Sequence, residues 1–285
     1  MYRYEMHLHT SEGSACASSS GSEYPAIFKE RGYDGVFITD HFYHGCTFPS
    51  TDLPWPDYVN EYCKGYEAAK KAGDEIGFKV FFGIEEGFGV DEYLIYGLDK
   101  EFLIAHPEIQ HWTREEMIAL VHGAGGAVMQ AHPFRDRDYV PMIWIHPEGI
   151  DGIEGINTAN HSMDDLAALC CAHRYGLRIV AGSDTHNISN ITERNGGIIT
   201  ERPIESPEDL VRIIRDREPL GVFYPEGYFS DIEKFGVRLK VKIFRNGAWE
   251  MLDPSELEEW YLSAAAGLDK PSEVAGKILR DLGQQ

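Results

Sequence analysis

An α/β fold, closed or nearly closed into a barrel, is predicted on three observations. Short apolar runs alternate with helix-like segments from the N-terminus to about residue 225, which argues a parallel sheet wrapped by helices. The length of 285 residues is ordinary for such a barrel, which commonly takes about 250. Successive apolar runs also end in His, Asp or Glu, and C-terminal strand ends are where barrels of this kind carry their chemistry.

The first strand leads into Met6-His7-Leu8-His9-Thr10. In extended chain, residues i and i+2 share a face, so His7 and His9 present two imidazoles side by side. A small-residue loop over 11–21 follows, then a helix from Ser22 to about Arg31, stopped by Gly32. The apolar run 35–39 is a buried strand ending in Asp40-His41. Pro49, Pro54 and Pro56 punctuate the next loop, and a helix is predicted over 57–74. The strand 79–84 runs into Glu85-Glu86, and a fourth strand covers 92–98.

Thr113-Arg114-Glu115-Glu116 has capping-box spacing and opens a helix to about His122, closed by the glycine turn 123–126. The strand 127–131 delivers His132-Pro133-Phe134-Arg135. The run 150–156 leads to Asn157 and His161, and after a helix over 163–175 the strand 177–181 delivers Gly182-Ser183-Asp184-Thr185-His186. A strand at 197–199, a helix over 206–216 and a strand at 220–224 complete the alternation, so residues 1–225 are read as the barrel. Beyond it, Asn246-Gly247 between two β-prone runs is a hairpin signal, followed by two helical segments. Residues 226–285 are read as a small α+β appendage of hairpin and helices packed on the barrel.

Composition narrows the function classes. The net charge of −21 disfavours duplex nucleic acid and anionic membrane surfaces, whose attraction depends on clustered Lys and Arg. The five cysteines, Cys16, Cys46, Cys63, Cys170 and Cys171, are odd in number and lack Cys-x-x-Cys spacing, as expected of thiols in a reducing compartment. With no apolar signal segment and no stretch of membrane-spanning length, a cytoplasmic protein is expected.

Collected in order, the strand-end groups are His7, His9, Glu12, His41, Glu85, His132, Asp184 and His186. Each taken singly has an ordinary structural explanation, as a strand cap, a turn former or a solvated charge. Together, at one end of successive strands, they read as a multinuclear metal site. Mixed imidazole and carboxylate donors suit zinc, manganese or iron.

His7-Leu8-His9-Thr10, Thr39-Asp40-His41, Gly83-Ile84-Glu85, Ala131-His132-Pro133 and Gly182-Ser183-Asp184-Thr185-His186, in this order and spacing, resemble the motifs of the polymerase and histidinol phosphatase (PHP) family. The resemblance spans residues 1 to about 225. It implies a distorted seven-stranded (β/α) barrel binding two or three divalent metal ions (Zn, Mn or Fe) and hydrolysing phosphate esters. Carried over by motif, His7, His9, Glu85 and Asp184 hold a first ion, Glu85 bridges to a second that His132 also binds, and His41 and His186 take a third. The family's usual ligand in the first loop falls where this chain has Ser14 and Ala15, so Glu12 is the expected substitute. The family's further histidine near 93–98 has no counterpart here, leaving His106, His111, His161 or water to complete the second position.

The expected chemistry is hydrolysis of a small organic phosphate ester by a metal-bound hydroxide, with a small phosphorylated metabolite as partner. Asp184, His161 and Arg135 are the candidate catalytic residues. Arg135 is the fork for phosphate oxygens, unless it pairs on the surface with Asp136 or Asp138. His161 is the candidate acid for the leaving alkoxide and, with Arg135, a substrate-binding group. Asp40 is expected to orient a neighbouring histidine, and Glu86 to point away from the site. Phe48 and Trp55, with 139–144, are candidate walls of an aromatic pocket. Alternatives are a metal-dependent hydrolase of an amide or other carbonyl substrate, and a catalytically silent metal-stabilised binding module.

Overall fold

The strand ends identified above lie together at one mouth of a nearly closed barrel. The structure is a computed structural model and describes residues 1–284. In chain order its elements are β1 (Tyr2–Glu5), α1 (Tyr24–Glu30), β2 (Gly35–Ile38), α2 (Trp55–Tyr62), α3 (Lys64–Ile76), β3 (Lys79–Phe88), β4 (Asp91–Tyr96), α4 (Lys100–Ala105), α5 (Arg114–Gly123), β5 (Ala127–Ala131), β6 (Ile143–Ile145) and β7 (Gly152–Asn157). Then come α6 (Ser162–Tyr175), β8 (Arg178–Gly182), β9 (Gly197–Thr200), α7 (Pro207–Arg215), β10 (Gly221–Phe223), β11 (Val241–Arg245), β12 (Ala248–Met251), α8 (Pro254–Ala265) and α9 (Pro271–Asp281).

The barrel sheet has nine strands among the described residues, in the order β10-β9-β1-β2-β3-β4-β5-β7-β8, where seven were expected. It is also mixed, not parallel throughout. The β1-β2-β3 and β5-β7-β8 runs are parallel, but β4 is antiparallel to both neighbours, and β9 is antiparallel both to β1 and to the edge strand β10. The reversal at β4 follows from a tight link: β3 and β4 are joined by Gly89 and Val90 alone, and so short a connection joins only antiparallel strands. Beyond the strand ends, Leu8 and Thr185 form a parallel bridge, with the His9 N–H on the Thr185 carbonyl at 2.9 Å. That bridge brings the ends of β1 and β8 together at the mouth.

Strands β2, β5, β7 and β8 are buried along their whole length, as expected for parallel strands covered on both faces. Local signals mostly hold. Thr113 makes the expected capping box with Glu116. The first cap is Ser20, not Ser22, reciprocated by Glu23, and the helix expected over 57–74 is two, α2 and α3, broken at Cys63.

Asn246 and Gly247, with φ of 55° and 74°, turn the β11-β12 hairpin, where left-handed backbone is what two-residue turns require. The hairpin does not stand apart: β11 pairs in parallel with β6, a strand inside the β5-to-β7 connection. Helices α8 and α9 pack on α6. Gln284 is tied to Ile179 of β8 by both side-chain atoms, accepting from its N–H at 2.8 Å and donating to its carbonyl at 2.6 Å. Among the described residues no helix is long and apolar enough to cross a membrane.

Candidate metal centre

Five strands deliver side chains to the barrel mouth. His7 and His9 follow β1, His41 follows β2, His132 follows β5, and Asp184 and His186 follow β8; Glu85 lies inside β3, which continues past the mouth into its hairpin with β4. His132 and Asp184 are held at φ of 26° and 50°, left-handed conformations that cost non-glycine residues about 1–3 kcal/mol each. Gly182 lets β8 approach: a Cβ there would stand 2.6 Å from the Cβ of His7.

Hydrogen bonds fix where the first two imidazoles keep their protons. His7 Nδ1 donates to Glu154 Oε1 at 3.0 Å. His9 Nδ1 donates to Ser14 Oγ at 3.0 Å, and that hydroxyl donates onward to Asp40 Oδ1 at 2.7 Å. Each ring therefore turns an Nε2 lone pair inward, and the two Nε2 atoms are only 3.0 Å apart. Glu85 Oε1 lies 3.2 Å from His7 Nε2, and Asp184 Oδ1 lies 3.4 and 3.1 Å from the Nε2 atoms of His7 and His9. Donor atoms of His7, His9 and Asp184 lie within 4.8 Å of one another, as do those of His7, Glu85 and His132, and a cation within either group would turn their crowding into ligation.

The same logic extends outward. His132 Nε2 is 3.1 Å from Glu85 Oε1 and 3.4 Å from Glu92 Oε2. His41 Nδ1 is 2.9 Å from Glu85 Oε2 and 3.6 Å from Glu92 Oε1. His186 gives its Nδ1 proton to the Asp184 carbonyl at 2.8 Å, and its ring stacks 4.1 Å from that of His9. Four overlapping groups result, each with ligand atoms within 4.8 Å of one another: His7/His9/Asp184, His7/Glu85/His132, His41/Glu85/Glu92 and His9/His41/His186. Among the described residues, buried His41 Nδ1 and Glu85 Oε2 have no hydrogen-bond partner. Histidine nitrogens and carboxylate oxygens crowded into these groups fit divalent cations, which would take the place of the protons the acidic neighbours otherwise draw onto His7 and His41.

Burial opposes charge on all these groups, and the charge pattern overrides it. Glu154, Glu85 and Asp184 lift His7 well above the usual histidine range. His7 and His41 hold Glu85 well below the carboxylate range, and Arg135 and His7 do the same for Asp184. His9 moves the other way: burial, then His41 and His186, keep it neutral far below its usual pKa.

Glu12 is not among the donors brought together. Its carboxylate accepts from Ser20 Oγ at 2.5 Å and the Gly21 N–H at 3.1 Å, which turns it from the mouth. His106 is bonded to Glu108, and His111 ends a short 3-10 turn; neither joins a donor group. Glu92 stands where a further ligand of the second position was sought. It escaped notice because β4 is reversed, so the start of that strand, not its end, lies at the mouth. Cys16, exposed on the same loop as Glu12, joins no donor group. Glu154 could have been noticed as the one charge in the apolar run Gly152-Ile153-Glu154-Gly155-Ile156.

Arg135 pairs with neither Asp136 nor Asp138. It donates to Asp184 Oδ2 and, at 3.0 Å, to Asn160 Oδ1, and lines a small cavity with Glu92, His132 and Tyr139. His161 is the exposed N-cap of α6, on the rim of a cavity of about 780 Å³. That cavity shares Thr158, Thr192 and Arg194 with a smaller one reaching Asp184. Asp40 acts on His9 through Ser14, as described above. Glu86 faces away but is buried, bonded to His44 at 2.7 Å. Trp55 is no pocket wall: it is buried, its indole N–H on the Leu103 carbonyl at 2.7 Å. Phe48 and Tyr139 are exposed.

Fold and donor set together define an α/β barrel built to gather divalent cations at its mouth. Residues 165–219 match the family model described as PHP-associated. The barrel resembles a two-domain protein from Bacteroides vulgatus containing a predicted PHP-like metal-dependent phosphoesterase, with a TM-score of 0.54 at 12% identity over 78% of this chain. This chain spans 64% of that protein's length. The family-model match covers less than half of this chain, and the likeness to the solved structure is one of fold. Weaker likenesses, each with a TM-score of 0.45, are to a putative metal-dependent phosphoesterase from Bifidobacterium adolescentis and an amidohydrolase from Chromobacterium violaceum with bound sulfate and no metal. The first is 17% identical over 75% of this chain and 96% of its own, the second 15% over 78% and 98%. Among curated proteins none matches the sequence.

Proposed function

We propose that this protein is a metal-dependent hydrolase of a small phosphate ester. The observation that carries the reading is the pair of adjoining donor groups His7/His9/Asp184 and His7/Glu85/His132, each with its ligand atoms within 4.8 Å of one another. His7, His9, Glu85 and Asp184 would hold one ion, Glu85, His132 and Glu92 a second, and His9, His41 and His186 a third. Divalent ions bound there supply an activated water and neutralise phosphate charge.

The chain's own groups do the positioning. Glu154 and Asp40 keep the two N-terminal imidazoles in the tautomer that offers Nε2. Arg135 spends one N–H on Asp184 and one on Asn160, so the rest of its five-donor fork is available to phosphate oxygens beside His132. His161, exposed at the cavity rim, is the group we assign to donate a proton to a departing alkoxide that extends toward α6.

The test is release of inorganic phosphate from a panel of sugar, amino-alcohol and nucleotide phosphates. The protein is supplied with zinc, manganese or iron(II), and a chelator-treated sample is the control. Chelator-sensitive release from any member is the expected result, and Arg135→Ala should abolish it while metal content stays unchanged. Full metal loading with no release from phosphomonoesters or diesters would refute the phosphoesterase reading and direct the search to amide substrates or to a binding role.

A further inference from the structure

Arg135 meets the centre through a planar fork, and the direction of that plane is set from one side by a carboxamide. Its Nε–H donates to Asn160 Oδ1 at 3.0 Å, while a terminal N–H goes to Asp184 Oδ2. A guanidinium held at two nitrogens is fixed in its plane; held at one, it swings about that bond. Asn160 in turn donates from Nδ2 to Asp165 Oδ1 at 3.3 Å. A guanidinium only donates and a carboxyl oxygen without a proton only accepts, so the amide between them has one workable orientation.

Asp165, in the first turn of α6, is 1% exposed. Its Oδ2 accepts from the Asn157 N–H at 2.8 Å and from the Tyr228 hydroxyl at 2.9 Å. Tyr228 belongs to the segment after the barrel and lines the cavity of about 780 Å³. Burial lifts the Asp165 carboxyl well above its usual range. Oδ1 accepts from Asn160 in either protonation state, because the neutral acid carries its proton on Oδ2 toward Tyr228, whose hydroxyl then turns to the Asn157 carbonyl at 3.1 Å.

We infer that Asp165 is a positioning residue for phosphate binding: through Asn160 it fixes the plane of Arg135, and Asn157 and Tyr228 hold it in place. The inference rests on the phosphate-ester reading above and adds to it the group that aims the fork.

Asp165→Asn preserves size but removes one acceptor. The buried Asn157 N–H keeps the remaining oxygen, so the new NH₂ faces Asn160, whose amide must turn over and present its own NH₂ to Arg135 Nε. In Asp165→Asn/Asn160→Asp the amide and the carboxylate exchange places, and every donor again meets an acceptor. The readout is the Arg135 Nε–H resonance in heteronuclear NMR, identified by its absence from Arg135→Lys. Slow exchange with solvent is expected in the wild type and in the double variant, and fast exchange in Asp165→Asn, with metal content unchanged throughout. On a phosphate ester that the wild type hydrolyses, kcat/KM should fall by up to about a hundredfold in Asp165→Asn and recover in the double variant.

Wild-type protection of Nε–H in Asp165→Asn, or fast exchange already in the wild type, overturns the inference and leaves the proposed function standing. A wild type that takes up metal but hydrolyses no phosphate ester overturns the proposed function, and the NMR comparison still decides the positioning. Should Asp165→Asn alone misfold, a double variant that stays unfolded or unprotected overturns the inference, and one that folds with Nε–H protected supports it.

Discussion

Replacing Glu154 by Gln tests how the centre is assembled. One oxygen of Glu154 accepts the Nδ1 proton of His7 at 3.0 Å, and the other accepts from the His132 N–H at 3.0 Å and Asn157 Nδ2 at 2.9 Å. A glutamine has one acceptor oxygen for these three donors. With that oxygen facing His132 and Asn157, its NH₂ faces His7, and the imidazole must move its proton to Nε2, the atom aimed at the cation. With the amide flipped, two buried N–H donors lose their acceptor instead. The first outcome should weaken metal binding by about 10- to 100-fold, the usual effect of removing a group that orients a ligand, or about 1.4–2.7 kcal/mol. The second should cost about 1–3 kcal/mol of folding stability for the donors left unpaired. Competition with a fluorescent chelator measures the affinity, and thermal unfolding in excess chelator measures the stability. Wild-type values in both would refute the assignment of Glu154 as the group that sets the His7 tautomer and ties β1, β5 and β7 together.

Three further outcomes are expected. Glu92→Ala should lower the number of tightly bound zinc ions by one, read by elemental analysis after gel filtration, while Glu12→Ala should leave it unchanged; the reverse pattern would mean that the carboxylate from the first loop, not β4, serves the centre. Glu5 is fully buried and burial lifts its carboxyl from 4.5 to about 7, against bonds from the His7 and Ser183 N–H groups to Oε1. Because the folded state then holds the proton more tightly, the Glu5 contribution to stability should be full below pH 4.5, fall as pH rises to about 7 and level off above it, by about 3 kcal/mol in all. Glu5→Gln, which keeps the Oε1 acceptor, should remove that component in chelator-treated protein; identical pH–stability curves for the two proteins would contradict it. Gln284→Ala should cost about 1–3 kcal/mol through the exposed pairing groups of Ile179, measured by urea denaturation, and no loss would show that β8 needs no such tie.

How far each feature was legible depends on the range of the forces behind it. Two-residue alternation, capping and turn preferences act over a few residues, so the histidine pair after β1, the Thr113 cap and the Asn246-Gly247 turn could be read directly. The same holds for the rule that barrel strands end in functional groups, which singled out His7, His9, His41, Glu85, His132, Asp184 and His186, and with them Glu12, which the fold turns away.

Strand direction and loop path belong to a longer range. The apolar pattern of β4 is the same whichever way it runs; its pairing with β3 and β5 decided that Glu92, and not a residue nearer Leu98, faces the cluster. Glu12 and Cys16 sit in one small-residue loop with nothing local to choose between them. Glu12 is turned aside by Ser20 and Gly21, and neither residue joins a donor group. Glu154 is a lone charge in an apolar strand and drew no reading from the sequence; its meaning comes from a histidine 147 positions away. The sequence by itself determined which groups can bind a cation, because that is a property of side chains; tertiary structure decided which of them share one, because burial and hydrogen bonding across distant strands fix where each lone pair points.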